Sequence, residues 1–127
     1  MIEVPVISIV DDDDSLRNSL DNLFRSVGFR AQGFSSAEAF LNSDRAKDTA
    51  CLILDVRMQG MNGLDLQRHM VDANWHLPII FITSYTDGEA RERAFEAGAV
   101  DFLYKPCREE DLLNAIDRAL KNSEIKS

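Results

Sequence analysis

Three short apolar runs, Val6-Ile7-Ser8-Ile9-Val10, Cys51-Leu52-Ile53-Leu54 and Ile79-Ile80-Phe81-Ile82, set the architecture open to this chain. Each is nearly continuous rather than alternating, and too short for a helix. That is the pattern of a strand buried on both faces of a parallel sheet. Each run stops at polar residues: the aspartates Asp11 to Asp14 after the first, Asp55 after the second, Thr83 after the third.

Longer amphipathic segments lie between them. Leu16, Leu20, Leu23, Phe24 and Val27 recur at helical spacing, and Gly28 sits where a helix would end. Arg30 to Phe34 reads as a weak strand, placed at an edge because of Gly33. Ser35-Ser36-Ala37-Glu38 reads as a capping box before Phe40 and Leu41. Asn62-Gly63 opens a helix carrying Leu66 and Met70, with Ala73 as a further candidate. Another helix is expected from about Asp87 to Ala97, stopped by Gly98. Asp101-Phe102-Leu103-Tyr104 is a short fifth strand ending at Lys105-Pro106. A last helix carries Leu112, Ile116, Ala119 and Leu120 on one stripe. Strands alternating with helices imply an α/β fold: a flavodoxin-like five-stranded parallel sheet, order 2-1-3-4-5, with five helices on two faces. A single domain over residues 5–121 is expected, with 122–127 as a polar tail or the start of a linker.

At 127 residues the chain can bury roughly two-thirds of its unfolded surface without a metal or disulfide. Lys plus Arg is 14 against 22 for Asp plus Glu, a net charge of −8. That balance disfavours direct nucleic-acid binding and anionic membranes. The cysteines Cys51 and Cys107 make no disulfide framework. Met1-Ile2-Glu3-Val4-Pro5 has no basic stretch before an apolar one, so no signal peptide is expected, and the chain reads as cytoplasmic.

In an open α/β sheet, ligands bind beyond the carboxyl ends of the strands. The fold would therefore bring Asp11, Asp12, Asp55, Thr83 and Lys105 to one rim. Crowded carboxylates either take up protons or bind a cation, and an oxygen-only donor set suits Mg2+. Asp55 could then act as nucleophile toward a phosphoryl group, with Thr83 and Lys105 holding its oxygens. Asp13 and Asp14 read better as acids at a helix start. The alternating D-x-D-x-D-G spacing of a Ca2+ loop is missing. His69 and His76 lack metal-ligand spacing and are assigned to the surface, Cys51 to a buried strand, and Trp75 to packing or partial exposure.

Val10-Asp11-Asp12-Asp13, Leu54-Asp55-Val56-Arg57-Met58 with Met61-Asn62-Gly63, Phe81-Ile82-Thr83-Ser84, Gly98-Ala99-Val100-Asp101-Phe102 and Tyr104-Lys105-Pro106 together resemble the blocks of a response-regulator receiver domain. Ser36 to Leu41 and Arg57-Met58 resemble FixJ-type receivers, which usually precede a LuxR-like helix-turn-helix domain. The resemblance implies that Asp55 is the phosphoacceptor and that Asp12 binds Mg2+ directly, with Asp11 acting largely through water. It implies that the backbone carbonyl of Arg57 is a further metal ligand and that Lys105 contacts phosphate through a strand end closed by a cis bond to Pro106. Thr83 and Phe102 would be the switch pair, and Arg57 and Tyr85 would flank the water that hydrolyses the acyl phosphate. A sensor histidine kinase as donor, a phosphorylation-dependent homodimer through helix 4, strand 5 and helix 5, and a DNA-binding domain outside this chain are implied as partners.

Three positions depart from the pattern: Gln59 where proline is usual, Cys107 where phenylalanine is usual, and Ser84 where alanine or glycine is usual. Two enzyme-like or cofactor-binding alternatives fare worse. Phosphatases with an aspartyl nucleophile need an acid two residues on, and that position is Arg57. A flavodoxin-like cofactor site needs Gly, Ser and Thr after strand 1, where this chain has aspartates. An unphosphorylated receiver-like module is countered by the complete set Asp12, Asp55, Thr83 and Lys105.

Overall fold

The computed structural model describes residues 4–84, 86 and 88–125, with side chains as far as 121. The elements are β1 (Val6–Val10), α1 (Asp14–Ser26), β2 (Arg30–Phe34), α2 (Ala37–Leu41), β3 (Cys51–Leu54), α3 (Gly63–Asp72), β4 (Ile79–Thr83), α4 (Gly88–Glu96), β5 (Asp101–Tyr104) and α5 (Glu109–Ile125), with a single 3-10 turn at Ala46–Asp48. The five strands are parallel in the order β2-β1-β3-β4-β5, as the alternation of elements implied.

The apolar runs are continuous because both faces are covered. Ile7, Ile9, Cys51, Ile53, Ile80 and Ile82 meet Leu20 and Phe24 of α1 and Leu112, Ala115, Ile116 and Ala119 of α5. The alternate residues Val10, Leu52, Leu54, Ile79 and Phe81 meet Phe40, Leu66, Met70, Ala90 and Ala94 on the other face. Period-two strands thus feed two cores, one under α1 and α5, the other under α2, α3 and α4. Ser8 is the polar exception within β1. Its hydroxyl lies 2.6 Å from that of Thr49, and Gln32 Nε2 donates to Ser8 at 3.0 Å, so no buried side-chain polar atom there is left unmatched. β2 carries exposed Arg30 and Gly33 at the sheet edge, which suits an edge strand.

Several local expectations shift. Ser36, not Ser35, caps α2: its backbone is extended (φ −154°, ψ 162°) and its hydroxyl accepts from Ala39 N–H at 3.0 Å. Glu38 is then one residue short of the capping-box position and points elsewhere. Ala73 is the exposed C-cap of α3 rather than part of its buried face. The backbone of α5 stays helical to Ile125, beyond the last residue of the apolar stripe. Trp75 stacks on Phe40, rings 5.7 Å apart and 9° from parallel. His69 and His76 are exposed. Among the described residues no helix is long and apolar enough to cross a membrane.

Candidate functional site

The strand ends deliver the polar residues as the parallel sheet requires. Asp11 follows β1, Asp55 follows β3, Thr83 closes β4 and Lys105 follows β5. Asp55 is tied to the sheet by its N–H to Val10 C=O at 3.0 Å, and Asp11 by its N–H to Phe34 C=O at 3.2 Å. Lys105 N–H donates to Thr83 C=O at 2.8 Å, which sets the lysine beside the end of β4. The Lys105–Pro106 bond is cis.

At the centre, Lys105 Nζ donates to Asp11 Oδ2 at 2.8 Å and to Asp55 Oδ2 at 3.2 Å. Asp11, Asp55 and Thr83 are buried, while Asp12 is exposed. Carboxylate oxygens of Asp11, Asp12 and Asp55 all lie within 4.8 Å of one another. Burial pushes the Asp11 carboxyl above its ordinary range, against the hydrogen bonds from Lys105 and Asp13 N–H, and the charge of Asp55 adds to the rise. Burial alone would lower the Lys105 ammonium. The hydrogen bond to Asp11 and the charges of Asp55 and Asp11 outweigh it, and the lysine titrates above its usual value. It is therefore a fixed cation at neutral pH.

Among the described residues, the ammonium of Lys105 bonds two of the three carboxylates, and the cluster carries more acid than this one cation balances. Hard oxygen donors this close fit a divalent cation such as Mg2+, which takes few protein carboxylates and completes its shell with water and phosphate. Asp11 turns its other oxygen, Oδ1, to Asp13 N–H at 2.9 Å, which orients the acidic turn.

The loop after Asp55 is closed at its neck. Gly63 N–H donates to Val56 C=O at 2.8 Å, and a Cβ on Gly63 would lie 2.1 Å from the Asp55 carbonyl oxygen. Only glycine permits that approach. Arg57 N–H points to Asp55 Oδ1 at 3.4 Å, and the Arg57 side chain is exposed. Phe102 is buried and its ring lies 5.6 Å from that of Phe81. Phe102, expected as one member of the switch pair, thus has its ring inside the protein. Tyr104, exposed, meets it edge-on at 5.5 Å. Tyr85, paired with Arg57 in the sequence reading, lies outside the described residues, as does Asp87.

Two contributors escaped the sequence reading. Arg17 Nη1 donates to Asp11 C=O at 2.6 Å and its Nη2 reaches Asp14, so a cation in α1 braces the acidic turn. Its spacing of six from Asp11, one turn into an amphipathic helix, was the available signal. Glu38 accepts from Met61 N–H at 3.0 Å. No periodicity marks a contact across so many residues.

A five-stranded doubly wound sheet with an acid, an acid, a hydroxyl and a lysine at successive strand ends defines a signalling module rather than a conventional enzyme. A family model described as the response regulator receiver domain matches residues 7–117, and the chain belongs to that family. It is 52% identical over 116 residues to response regulator protein TmoT of Ectopseudomonas mendocina, an alignment covering 91% of this chain and 53% of TmoT. Transcriptional regulatory protein FixJ of Bradyrhizobium diazoefficiens is 36% identical over 118 residues, 93% of this chain and 58% of FixJ. The solved structure of response regulator StyR superposes with a TM-score of 0.89 at 42% identity, covering 98% of this chain and 63% of that one. The chain spans about half the length of the curated relatives it matches. The phosphatase and flavodoxin-like cofactor readings fall with these findings.

Proposed function

We propose that this domain accepts a phosphoryl group on Asp55 from a sensor histidine kinase in the cytoplasm and relays that state to a transcriptional output. The observation that carries the reading is the Lys105 ammonium held between Asp11 and Asp55, at 2.8 and 3.2 Å, with Thr83 buried alongside. In the transfer, an Asp55 carboxylate oxygen bonds to phosphorus as the phosphorus–nitrogen bond of the donor phosphohistidine breaks. The imidazole keeps the electron pair. Lys105, already at hydrogen-bond distance from Asp55, is placed to meet the incoming phosphoryl oxygens, and the Thr83 hydroxyl to follow them. Asp12 directly, Asp11 largely through water, Asp55 and the backbone carbonyl of Arg57 would hold Mg2+. When bound, the ion supplies the positive charge that lets an anionic nucleophile approach an anionic phosphoryl group.

Thr83 and Phe102 form the switch pair in this reading. In it, phosphorylation stabilises the inward orientation of the Phe102 ring, a shift of population rather than a new packing, and the burial of that ring supports this. Arg57 and Tyr85 flank the approach of the hydrolytic water. The functional unit covers residues 5–121, with 122–127 leading toward a LuxR-like helix-turn-helix domain outside this chain. FixJ, a relative named as a transcriptional regulatory protein, supports that output.

The test is intact-mass measurement after incubation with acetyl phosphate and Mg2+. The wild-type chain is expected to gain one phosphoryl group, and Asp55→Asn none. Equal modification of both would overturn the assignment.

A further inference from the structure

Gln59 stands where the receiver pattern has a proline, so the loop between Asp55 and α3 needs another source of stiffness. Its neck is closed by Gly63, and Met58 packs against the core cluster that contains Phe40. Its outer end is gripped from a different element. Glu38, in the first turn of α2, accepts Met61 N–H on Oε2 at 3.0 Å across 23 residues of chain. The same carboxylate fills the space beside Gly60: a Cβ there would lie 2.6 Å from Oε2 and 3.3 Å from Cδ. Gly60 has φ +79°, a conformation that side chains disfavour, and its bare Cα leaves a notch for the acid.

The helix that carries Glu38 is well anchored, although the Glu38 side chain is exposed. Ala37 and Phe40, its neighbours in α2, are fully buried, and Ser36 caps the helix. Donation from Met61 N–H holds the Glu38 carboxyl below its ordinary range, so at neutral pH it is an ionised acceptor. Arg57, whose carbonyl is assigned to the metal, lies in the stretch between the closed neck and this grip.

We propose that Glu38 is a positioning residue for the phosphoryl site: by clamping Gly60 and Met61 it fixes the loop that presents the Arg57 carbonyl, supplying the stiffness that Gln59 does not. The inference rests on the receiver reading above. Glu38 touches neither phosphate nor metal, and it acts through the loop alone.

The experiment compares Glu38→Ala, Glu38→Gln and the double change Glu38→Ala with Gln59→Pro, using Mg2+ titration calorimetry and acetyl-phosphate kinetics. Glu38→Ala is expected to weaken Mg2+ binding about fivefold, the scale of one lost solvent-exposed hydrogen bond. At saturating Mg2+ its phosphorylation rate should stay within about twofold of wild type, because no reacting group has gone. Glu38→Gln keeps an acceptor oxygen and should bind Mg2+ within about twofold of wild type. Adding Gln59→Pro to Glu38→Ala should restore most of the affinity. Unchanged affinity in Glu38→Ala, or equal losses in the Ala and Gln variants, would overturn the clamp, the latter by showing that only charge matters.

Amide exchange at Met61 gives a readout free of metal and phosphate. Slow exchange in the wild type that speeds up in Glu38→Ala supports the clamp, and exchange at the free-peptide rate in the wild type overturns it. If Glu38→Ala does not fold, Glu38→Gln and the wild-type exchange rate carry the same decision. A wild-type chain that binds no Mg2+ and takes no phosphoryl group fails the receiver reading, whereas fast Met61 exchange in a chain that does both fails the clamp alone.

Discussion

Asp12 is the exposed member of the three acids, and its neighbours Asp11 and Asp55 are buried within 4.8 Å of it. Lys105 serves those two and leaves Asp12 as surplus negative charge. Asp12→Asn should therefore raise the melting temperature without metal, by about 2 °C because solvent screens an exposed charge. The same change should remove most of the stabilisation that Mg2+ gives the wild type, which at 100 times the dissociation constant is about 2.7 kcal/mol. Thermal melts with Mg2+ and with EDTA check both signs, and a lower metal-free midpoint would make Asp12 a structural acceptor instead. Cys51 makes a separate prediction at alkaline pH. Burial pushes its thiol from an ordinary 9.0 to about 12. A folded pKa raised above the unfolded one contributes stability that is complete below pH 9 and lost as pH rises toward 12. Urea unfolding should show stability falling by up to about 1.4 kcal/mol per pH unit in that window. Cys51→Ala should flatten this alkaline slope while costing some stability at all pH values through the cavity it leaves.

Among the elements, the β3–α3 connection carries the tightest constraint. A methyl group on Gly63 would meet the Asp55 carbonyl at 2.1 Å and the Val56 Cα at 3.1 Å, and neither backbone atom can yield cheaply. Gly63→Ala should cost about 3 kcal/mol in urea unfolding, at the upper end for overpacking, and should weaken Mg2+ binding because Asp55 moves with its own carbonyl. A variant with wild-type stability would mean that the helix start can slide away. What could be read ahead follows the same logic of elements. The strands were plain because each apolar run is bounded by a polar stop, and Asp11, Asp55, Thr83 and Lys105 were found because a strand end has one place to be in a parallel sheet. The braces were not. Arg17 on the Asp11 carbonyl, Glu38 on Met61, and Gln32 with Ser8 and Thr49 are polar contacts between elements, and they obey no helical or strand period. The cap of α2 slipped by one because Ser35 and Ser36 offer the same hydroxyl, and only the backbone angles decide between them. The length of α5 was hidden because Lys121 to Glu124 are all polar and interrupt the stripe.

At the scale of the whole molecule, the proposed switch face is built from α4, β5 and α5. Phe95 and Tyr104 are its exposed aromatics, at 36% and 37% accessibility, and Arg91 lies 4.9 Å above the Phe95 ring. Arg118 of α5 pairs with Asp101 of β5 at 2.5 Å and holds the far side together. Beryllofluoride with Mg2+ should shift the domain from monomer toward dimer in light scattering, and Tyr104→Lys should weaken that shift while leaving the phosphorylation of Asp55 intact. A mass unchanged by beryllofluoride would separate phosphorylation from this face. The bonds from Lys105 have a further consequence, for the order in which the chain assembles. They join residues 94 and 50 positions apart, and the lysine comes last. A chain emerging from synthesis holds both buried acids before their cation exists, so pairing β1 with β3 is opposed by like charges until β5 arrives. A chain cut short before β5 would therefore be loosely folded, with Asp11 and Asp55 lacking the cation that meets both of them.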